Sequence, residues 1–253
     1  MLQKKKDSVS TVFNANSRQK ILNENTPFAI REAYRYFRTK LIFTGKGEQC
    51  PVFAFTSANA GDGKTITTIN TAISFSELNK RTLIIDADMR NPSIGRYFSV
   101  KKKSGLSEYL AGIDESAALS ETGIQNLTVL TAGAVPPNPA ELLASQKLQT
   151  LIERARTEFD CVFIDTPPAG IVADALSLAQ YCTGYVVVVQ NGATRLTELQ
   201  AVLRDIAQLG GDVCGVLMND ALGKGTGIRY TKSYRRRSDS YYHADPYGDG
   251  AKT

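Results

Sequence analysis

The hydrophobic positions of the chain fall into short continuous runs separated by stretches of helical spacing. Val52 to Phe55, Leu83 to Ile85, Leu127 to Leu130, Cys161 to Ile164, Tyr185 to Val189 and Val213 to Met218 are apolar or nearly so along their whole length. A run without polar alternation predicts a strand covered on both faces, which is the situation of a parallel sheet between helices. Between the runs, Phe28, Ile30, Ala33, Phe37, Leu41 and Ile42 recur at three- and four-residue steps and predict a helix from Pro27. Further helices are expected after Lys64 to about Asn79, over Gly105 to Gly112, from Ala140 to about Phe159, over Val172 to Gln180 and over Thr194 to Leu209. Strands alternating with helices imply parallel β-α-β units with right-handed crossovers, hence an α/β fold with a mostly parallel central sheet and helices on both faces.

The pattern stops at both ends. Residues 1–26 are polar and predict a flexible arm, residues 27–220 one domain, and residues 221–253 a tail too poor in aliphatic side chains to build a core and therefore disordered. A length of 253 residues with 42% hydrophobic content suits one such domain with tails. The chain holds no apolar run of membrane-spanning length and no secretion-signal core at its start, so a cytoplasmic location is expected. Cys50, Cys161, Cys182 and Cys214 are scattered and read as buried, reduced thiols. The net charge of +5 is mild and is concentrated at the ends. Lys4, Lys5 and Lys6 read either as a solvated tail or as a contact for an anionic membrane surface.

The first apolar run leads into Ala58-Asn59-Ala60-Gly61-Asp62-Gly63-Lys64-Thr65, then a helix. This is the context of a phosphate-binding loop, in which backbone N–H groups cradle phosphates, the lysine reaches the outer phosphates and the hydroxyl after it meets Mg²⁺. Ala58 stands where the motif asks for glycine. Ala60, Gly61, Asp62, Gly63, Lys64, Thr65 and Thr67 are the expected nucleotide contacts, with Asn219, at the end of the last apolar run, on the base side. Two further runs end in acids: Leu83 to Ile85 leads into Asp86-Ala87-Asp88-Met89-Arg90, and Cys161 to Ile164 into Asp165-Thr166-Pro167-Pro168. Parallel strands ending in carboxylates behind a phosphate loop bring those acids to the ligand crevice.

On the first helix, Glu32, Arg35 and Arg38 form E-x-x-R-x-x-R, either a surface ion pair or a docking face between subunits. In the tail, Tyr230, Tyr234, Tyr241, Tyr242 and Tyr247 lack aliphatic neighbours. They belong either to a basic aromatic segment for acidic partners, with Arg235, Arg236 and Arg237, or to a set of substrates.

Taken together, the E-x-x-R-x-x-R helix, the relaxed loop at Ala58 to Thr65, the D-x-D-x-R motif at Asp86 to Arg90, Pro136 to Leu143 (PPNPAELL), the I-D-T-P-P strand at Ile164 and the tyrosine tail are similar to those of the bacterial tyrosine kinases of capsule and exopolysaccharide synthesis. The resemblance is to the soluble cytoplasmic type that works with a separate membrane adaptor. It implies a P-loop NTPase-like fold and a protein-tyrosine autokinase using ATP and Mg²⁺. Lys64, Asp86, Asp88 and Asp165 would be catalytic, with Thr65, Asp88 and Asp165 around the metal and Asp86 receiving or orienting the acceptor hydroxyl. The resemblance further implies a ring of subunits docked through Glu32, Arg35 and Arg38 while unphosphorylated, and phosphorylation of the tail in trans. Its implied partners are an activating cytoplasmic segment of the adaptor, which recruits the chain to the inner face of the membrane, and a cognate phosphotyrosine phosphatase, with no nucleic acid. The alternative is a P-loop ATPase acting as a nucleotide-dependent positioning or dimerisation switch.

Overall fold

In the computed structural model, residues 21–100 and 104–219 are described. The six expected strands and the unpredicted β3 form one sheet: β1 (Val52–Ser57), β2 (Thr82–Asp86), β3 (Ser120–Glu121), β4 (Leu127–Leu130), β5 (Cys161–Asp165), β6 (Gly184–Gln190) and β7 (Val213–Asn219). Their spatial order is β3-β4-β2-β5-β1-β6-β7, and every neighbouring pair is parallel except β3 with β4. Among the described residues, seven helices surround it: α1 (Phe28–Thr44), α2 (Lys64–Ser76), α3 (Ile94–Tyr97), α4 (Leu106–Ala111), α5 (Pro139–Leu143), α6 (Gln146–Glu158) and α7 (Leu196–Gln208), with a 3-10 turn over Ala173–Leu178.

The two faces of the sheet have separate cores. Val52 and Ala54 of β1 pack with Leu151 and Ile152 of α6 and Val202 and Ile206 of α7 on one side. Phe53 and Phe55 alternate to the other side, with Leu41 of α1 and Ile69 and Ile73 of α2. There Phe163 of β5 meets Phe53, Phe55 and Phe75 at ring-centroid distances of 5.9, 6.0 and 5.0 Å. Such aromatic contacts add to the stabilisation from burial alone.

Helix α2 is buried along nearly its whole length although its sequence, KTITTINTAISFS, is rich in hydroxyls. Burial is tolerated because the hydroxyls are satisfied within the helix: Thr68 donates to the Lys64 carbonyl at 2.9 Å and Thr71 to that of Thr67 at 2.7 Å.

Four details differ from the periodicity. Ile21 and Leu22, in the stretch expected to be a flexible arm, are buried beside α2, and the Leu22 N–H donates to Asn70 Oδ1 at 2.8 Å. An apolar pair with a core surface to cover sets the packed boundary earlier than residue 27. The run expected as one helix from Ala140 is two, because Ser145 is extended and its hydroxyl bonds the Leu142 carbonyl at 2.7 Å, competing with the helix ladder. The stretch expected as a helix over Val172 to Gln180 is the tighter 3-10 turn. The short α3 and the two-residue β3 have too few residues to show a period.

All four cysteines are free, with Cys50 and Cys161 buried and Cys182 and Cys214 partly so. Burial pushes the Cys50 thiol up to about 11 and the Cys182 thiol up to about 12, so neither is a thiolate at neutral pH. No helix among the described residues is long and apolar enough to cross a membrane. The tail with its five tyrosines, and Lys4 to Lys6, lie outside the described residues.

Candidate active site

The carboxyl ends of β1, β5 and β2 lie side by side, and the register places Asp86 directly beside Asp165 and Asp165 beside Phe55. Strand β1 runs into a loop over residues 58–63 that ends at the first turn of α2. Gly61 and Gly63 take φ of +92° and +90°, a region that side chains with a Cβ avoid. At the motif's first position Ala58 is buried, and its carbonyl lies where a Cβ on Gly170 would fall, 2.4 Å away. Gly170, after the I-D-T-P-P strand, thus leaves room for the Ala58 backbone to pass.

A cavity of about 340 Å³ opens at the loop. Ala60, Gly61, Gly63, Lys64 and Thr65 form one wall, and Asp88, Arg90, Tyr97 and Pro167 belong to the others. Lys64 Nζ sits 2.7 Å from Asp88 Oδ2 and 3.7 Å from Asp165 Oδ1. The Thr65 hydroxyl donates to Asp165 Oδ2 at 2.6 Å. Burial works against the lysine's charge, but Asp165 and Asp88 outweigh it and hold the Lys64 pKa above its ordinary value. Burial raises the Asp165 pKa, with Lys64 and the Thr65 hydroxyl opposing.

Asp86 is 1% exposed and is not part of the cavity wall. Its Oδ2 accepts the N–H groups of Ser93 and Ile94 at 3.1 and 3.0 Å, which starts α3, while its Oδ1 has no partner. Burial, then repulsion from Asp165, pushes its pKa up to about 8. The acid expected to face an acceptor hydroxyl thus sits one layer behind the wall that Ser93 and Tyr97 form.

Asp62, Thr67 and Asn219 support the loop from behind. Asn219 Nδ2 donates to the Asp62 carbonyl at 2.8 Å and to the Thr67 hydroxyl at 3.1 Å. The Asp62 carboxylate accepts the Asn59 N–H at 3.0 Å and the Thr194 hydroxyl at 3.0 Å, and Asn59 Nδ2 donates to Glu198 at the start of α7 at 2.8 Å. Thr194 and Glu198 carry no recognisable motif. Only the threading of β6 and α7 past the loop brings them in.

The donor set suits a hard cation carried by phosphates. Thr65, Asp88 and Asp165 offer only oxygen ligands, as Mg²⁺ prefers. No group of three or more His, Cys, Asp or Glu fit to hold a metal exists among the described residues. Mg²⁺ in phosphate-transfer sites needs fewer, since one or two carboxylates suffice beside substrate phosphates and water.

On the E-x-x-R-x-x-R helix, Arg35 Nη1 pairs with Glu32 at 2.8 Å in a half-exposed setting. Arg38 turns inward instead, donating to the Ser74 carbonyl of α2 and lying 3.7 Å from Glu77.

Residues 51–213 match the family model of an AAA domain. Tyrosine-protein kinase CpsD of Streptococcus pneumoniae serotype 4 is 41% identical over 175 residues, 68% of this chain and 77% of that protein. Putative tyrosine-protein kinase CapB of Staphylococcus aureus is 31% identical over 219 residues, covering 86% of this chain and 92% of that one. The kinase domain of the Escherichia coli tyrosine kinase ETK superposes with a TM-score of 0.72 at 31% identity, over 79% of this chain and 82% of that one. With this fold, and with lysine, hydroxyl and carboxylates gathered at a phosphate loop, the chain belongs to the bacterial tyrosine-protein kinases of capsule and exopolysaccharide synthesis.

Proposed function

We propose that the chain is an ATP-dependent autokinase that phosphorylates its own C-terminal tyrosines in trans and thereby regulates polysaccharide polymerisation and export. The observation that carries this reading is the Lys64–Asp88–Asp165–Thr65 cluster at the mouth of the phosphate loop. In that role Lys64 exchanges the Asp88 carboxylate for the outer phosphates of ATP, and the N–H groups of residues 60–65 hold the phosphate chain. Thr65, Asp88 and Asp165 would hold Mg²⁺, which neutralises charge on the transferred phosphoryl group when bound. Asp62, Thr67 and Asn219 act by bracing the loop, and the base-side contact expected of Asn219 would be made from this position at the end of β7.

Asp86 enters through its partnerless Oδ1. A movement of the Ser93–Tyr97 wall would present that oxygen to a phenol. Its pKa of about 8 lies far closer to a phenol, near 10, than an ordinary carboxylate does. Because the phosphoryl transition state is loose, the group needs chiefly to orient the hydroxyl.

The subunits would dock through the Glu32–Arg35 face, with an adaptor's cytoplasmic segment as activator at the membrane and a phosphotyrosine phosphatase as the opposing enzyme. From Lys224 to Thr253 there are seven Lys or Arg against three Asp, so the unmodified tail is cationic. Five phosphotyrosines add about −7.5 to −10 and reverse that sign, which releases the tail from an acidic, ATP-loaded crevice and loosens the ring.

The test is a mixture of two proteins in cells that make the chain naturally, where its activator is present. One carries Lys64→Met with an intact tail, the other is active but ends before Tyr230. Phosphotyrosine on the inactive chain is expected. No phosphotyrosine on it overturns transfer in trans, and an intact active chain that turns over Mg-ATP in the presence of its activator without labelling any tail tyrosine overturns the autokinase in favour of a nucleotide-driven positioning ATPase.

A further inference from the structure

Arg90 closes the D-x-D-x-R motif, and its side chain belongs to the cavity wall while remaining 47% exposed. Lys64, in the same cavity, is only 11% exposed. The cavity therefore has a deep cation beside the phosphate loop and a second cation at its rim. Arg90 does not hang freely there. Its Nε donates to Asp174 Oδ2 at 2.6 Å and its Nη2 to Asp174 Oδ1 at 3.0 Å, and the Asp174 side chain is 2% exposed. A side-on bidentate pair fixes the plane of a guanidinium and consumes one of its edges. Nη1 is left without a protein partner among the described residues. Asp174 stands at the start of the 3-10 turn after the I-D-T-P-P strand, so two separate segments of the crevice are joined at this point.

A buried carboxylate that immobilises a rim arginine, with one edge of that arginine left open, prepares a site for an anion arriving from solvent. The phosphates go deeper, where Lys64 and the loop N–H groups are. What arrives at the rim is the acceptor segment. The tail offers a pattern that fits: Asp239-Ser240-Tyr241 and Asp245-Pro246-Tyr247 each place an aspartate two residues before a tyrosine. In an extended segment, side chains two apart point the same way, about 7 Å from one another. The longer tyrosine then reaches down towards the phosphate while the shorter aspartate stops at the rim. Tyr230 and Tyr234 have Ile228 and Lys232 at the corresponding position.

We propose that Arg90, positioned by Asp174, selects acceptor tyrosines that carry an aspartate two residues upstream, so that Tyr241 and Tyr247 are modified before Tyr230 and Tyr234. The inference rests on the reading of the tail as substrate. The experiment is a time course of the purified full chain with Mg-ATP and membranes of the cells that make it naturally, which carry its activator, with occupancy of each tyrosine read by mass spectrometry.

Tyr241 and Tyr247 are expected to lead. Asp239→Asn should slow Tyr241 alone, and Asp245→Asn Tyr247 alone, each by about threefold to fivefold, the size of one ion pair in a half-exposed setting. Arg90→Gln should abolish the difference between Tyr241 and Tyr230 whatever it does to total turnover, and Asp174→Asn should reduce that same ratio. The two tail substitutions alter no residue of the folded core, and the ratio within one chain is insensitive to the fraction of enzyme folded. Equal rates at all tyrosines, or rates unchanged by the tail substitutions, overturn the selection while leaving the autokinase in place. Absence of label on every tail tyrosine overturns both.

Discussion

The Lys64 ammonium lies 2.7 Å from the Asp88 carboxylate and 3.7 Å from that of Asp165, and is the cation these two buried acids share. Removing the lysine does two things at once. It deletes the phosphate ligand, and it leaves Asp88 and Asp165 without their cation, which typically costs about 3–5 kcal/mol when one partner of a buried pair is lost. Lys64→Met is therefore expected to melt at a lower temperature and to show no rise in Tm on adding Mg-ATP. Lys64→Arg separates the effects: it should retain most of the stability and still lose transfer, because a planar fork does not place a point charge on the outer phosphates. Thermal melting with and without Mg-ATP, beside a phosphotyrosine assay, checks both. A Lys64→Met protein as stable as the parent contradicts the role given to the pair.

Asp86 makes the stability of the nucleotide-free chain depend on pH. Its folded pKa of about 8 is above the 3.8 of a free carboxyl, so the folded chain binds more protons than the unfolded one between those values. The stabilisation is fully present below about pH 4, and is lost as pH rises to about 8, at up to about 1.4 kcal/mol per pH unit. Denaturant titrations in EDTA should show falling stability across that range, and Asp86→Asn should flatten the slope. An unchanged slope in the variant would show that Asp86 is already ionised in the folded state.

The sheet is legible in the sequence because a continuous apolar run favours a strand between two helical layers, and every such run is a strand in the structure, although β7, at the sheet edge, is exposed or half-buried along its whole length rather than covered on both faces. Lys64, Thr65, Asp88 and Asp165 are equally legible, since a phosphate loop and strand-end acids are brought together by parallel topology alone. What could not be read are relations set by side-chain direction. Arg38 has the spacing of an outward-facing residue but turns to the Ser74 carbonyl, and Asp86 shares the motif of Asp88 but points behind the wall. Neither Asp174 under Arg90 nor Thr194 under Asp62 has a spacing that marks it, because those contacts join segments far apart in the chain.

The brace behind the loop should matter more for nucleotide affinity than for folding. Asn219→Ala removes the donor to the Asp62 carbonyl and to the Thr67 hydroxyl at the end of β7, two bonds worth about 0.5–1.5 kcal/mol each. The expected result is roughly tenfold weaker ATP binding by titration calorimetry, with Tm lowered only slightly. Gly63→Ala attacks the same contact from the other side, because its Cβ would lie 2.3 Å from Asn219 Nδ2 at a φ of +90°. It should abolish ATP binding. Wild-type affinity in Gly63→Ala would mean that the loop does not use this conformation to hold phosphate.

The two arginines of α1 should differ in kind, although they stand one helical turn apart. Arg35 pairs with Glu32 at 2.8 Å, an (i, i+3) surface contact with both side chains about a third exposed, and such pairs contribute a few tenths of a kcal/mol. Arg38 is 12% exposed and reaches from α1 to the end of α2, where it meets the Ser74 carbonyl and lies near Glu77. Losing it leaves a buried carbonyl without its charged donor and a gap between the helix of the proposed docking face and the helix that begins at Lys64, at a cost of about 1–3 kcal/mol. Arg38→Ala should therefore lower Tm by several degrees even in dilute monomer, while Arg35→Ala leaves it unchanged. Light scattering completes the comparison. If Arg35 docks a neighbouring subunit, its substitution reduces the assembled fraction at constant monomer stability, whereas Arg38→Ala reduces assembly only together with stability. Equal melting of both variants would return Arg38 to the surface and remove its link between the docking helix and the phosphate loop.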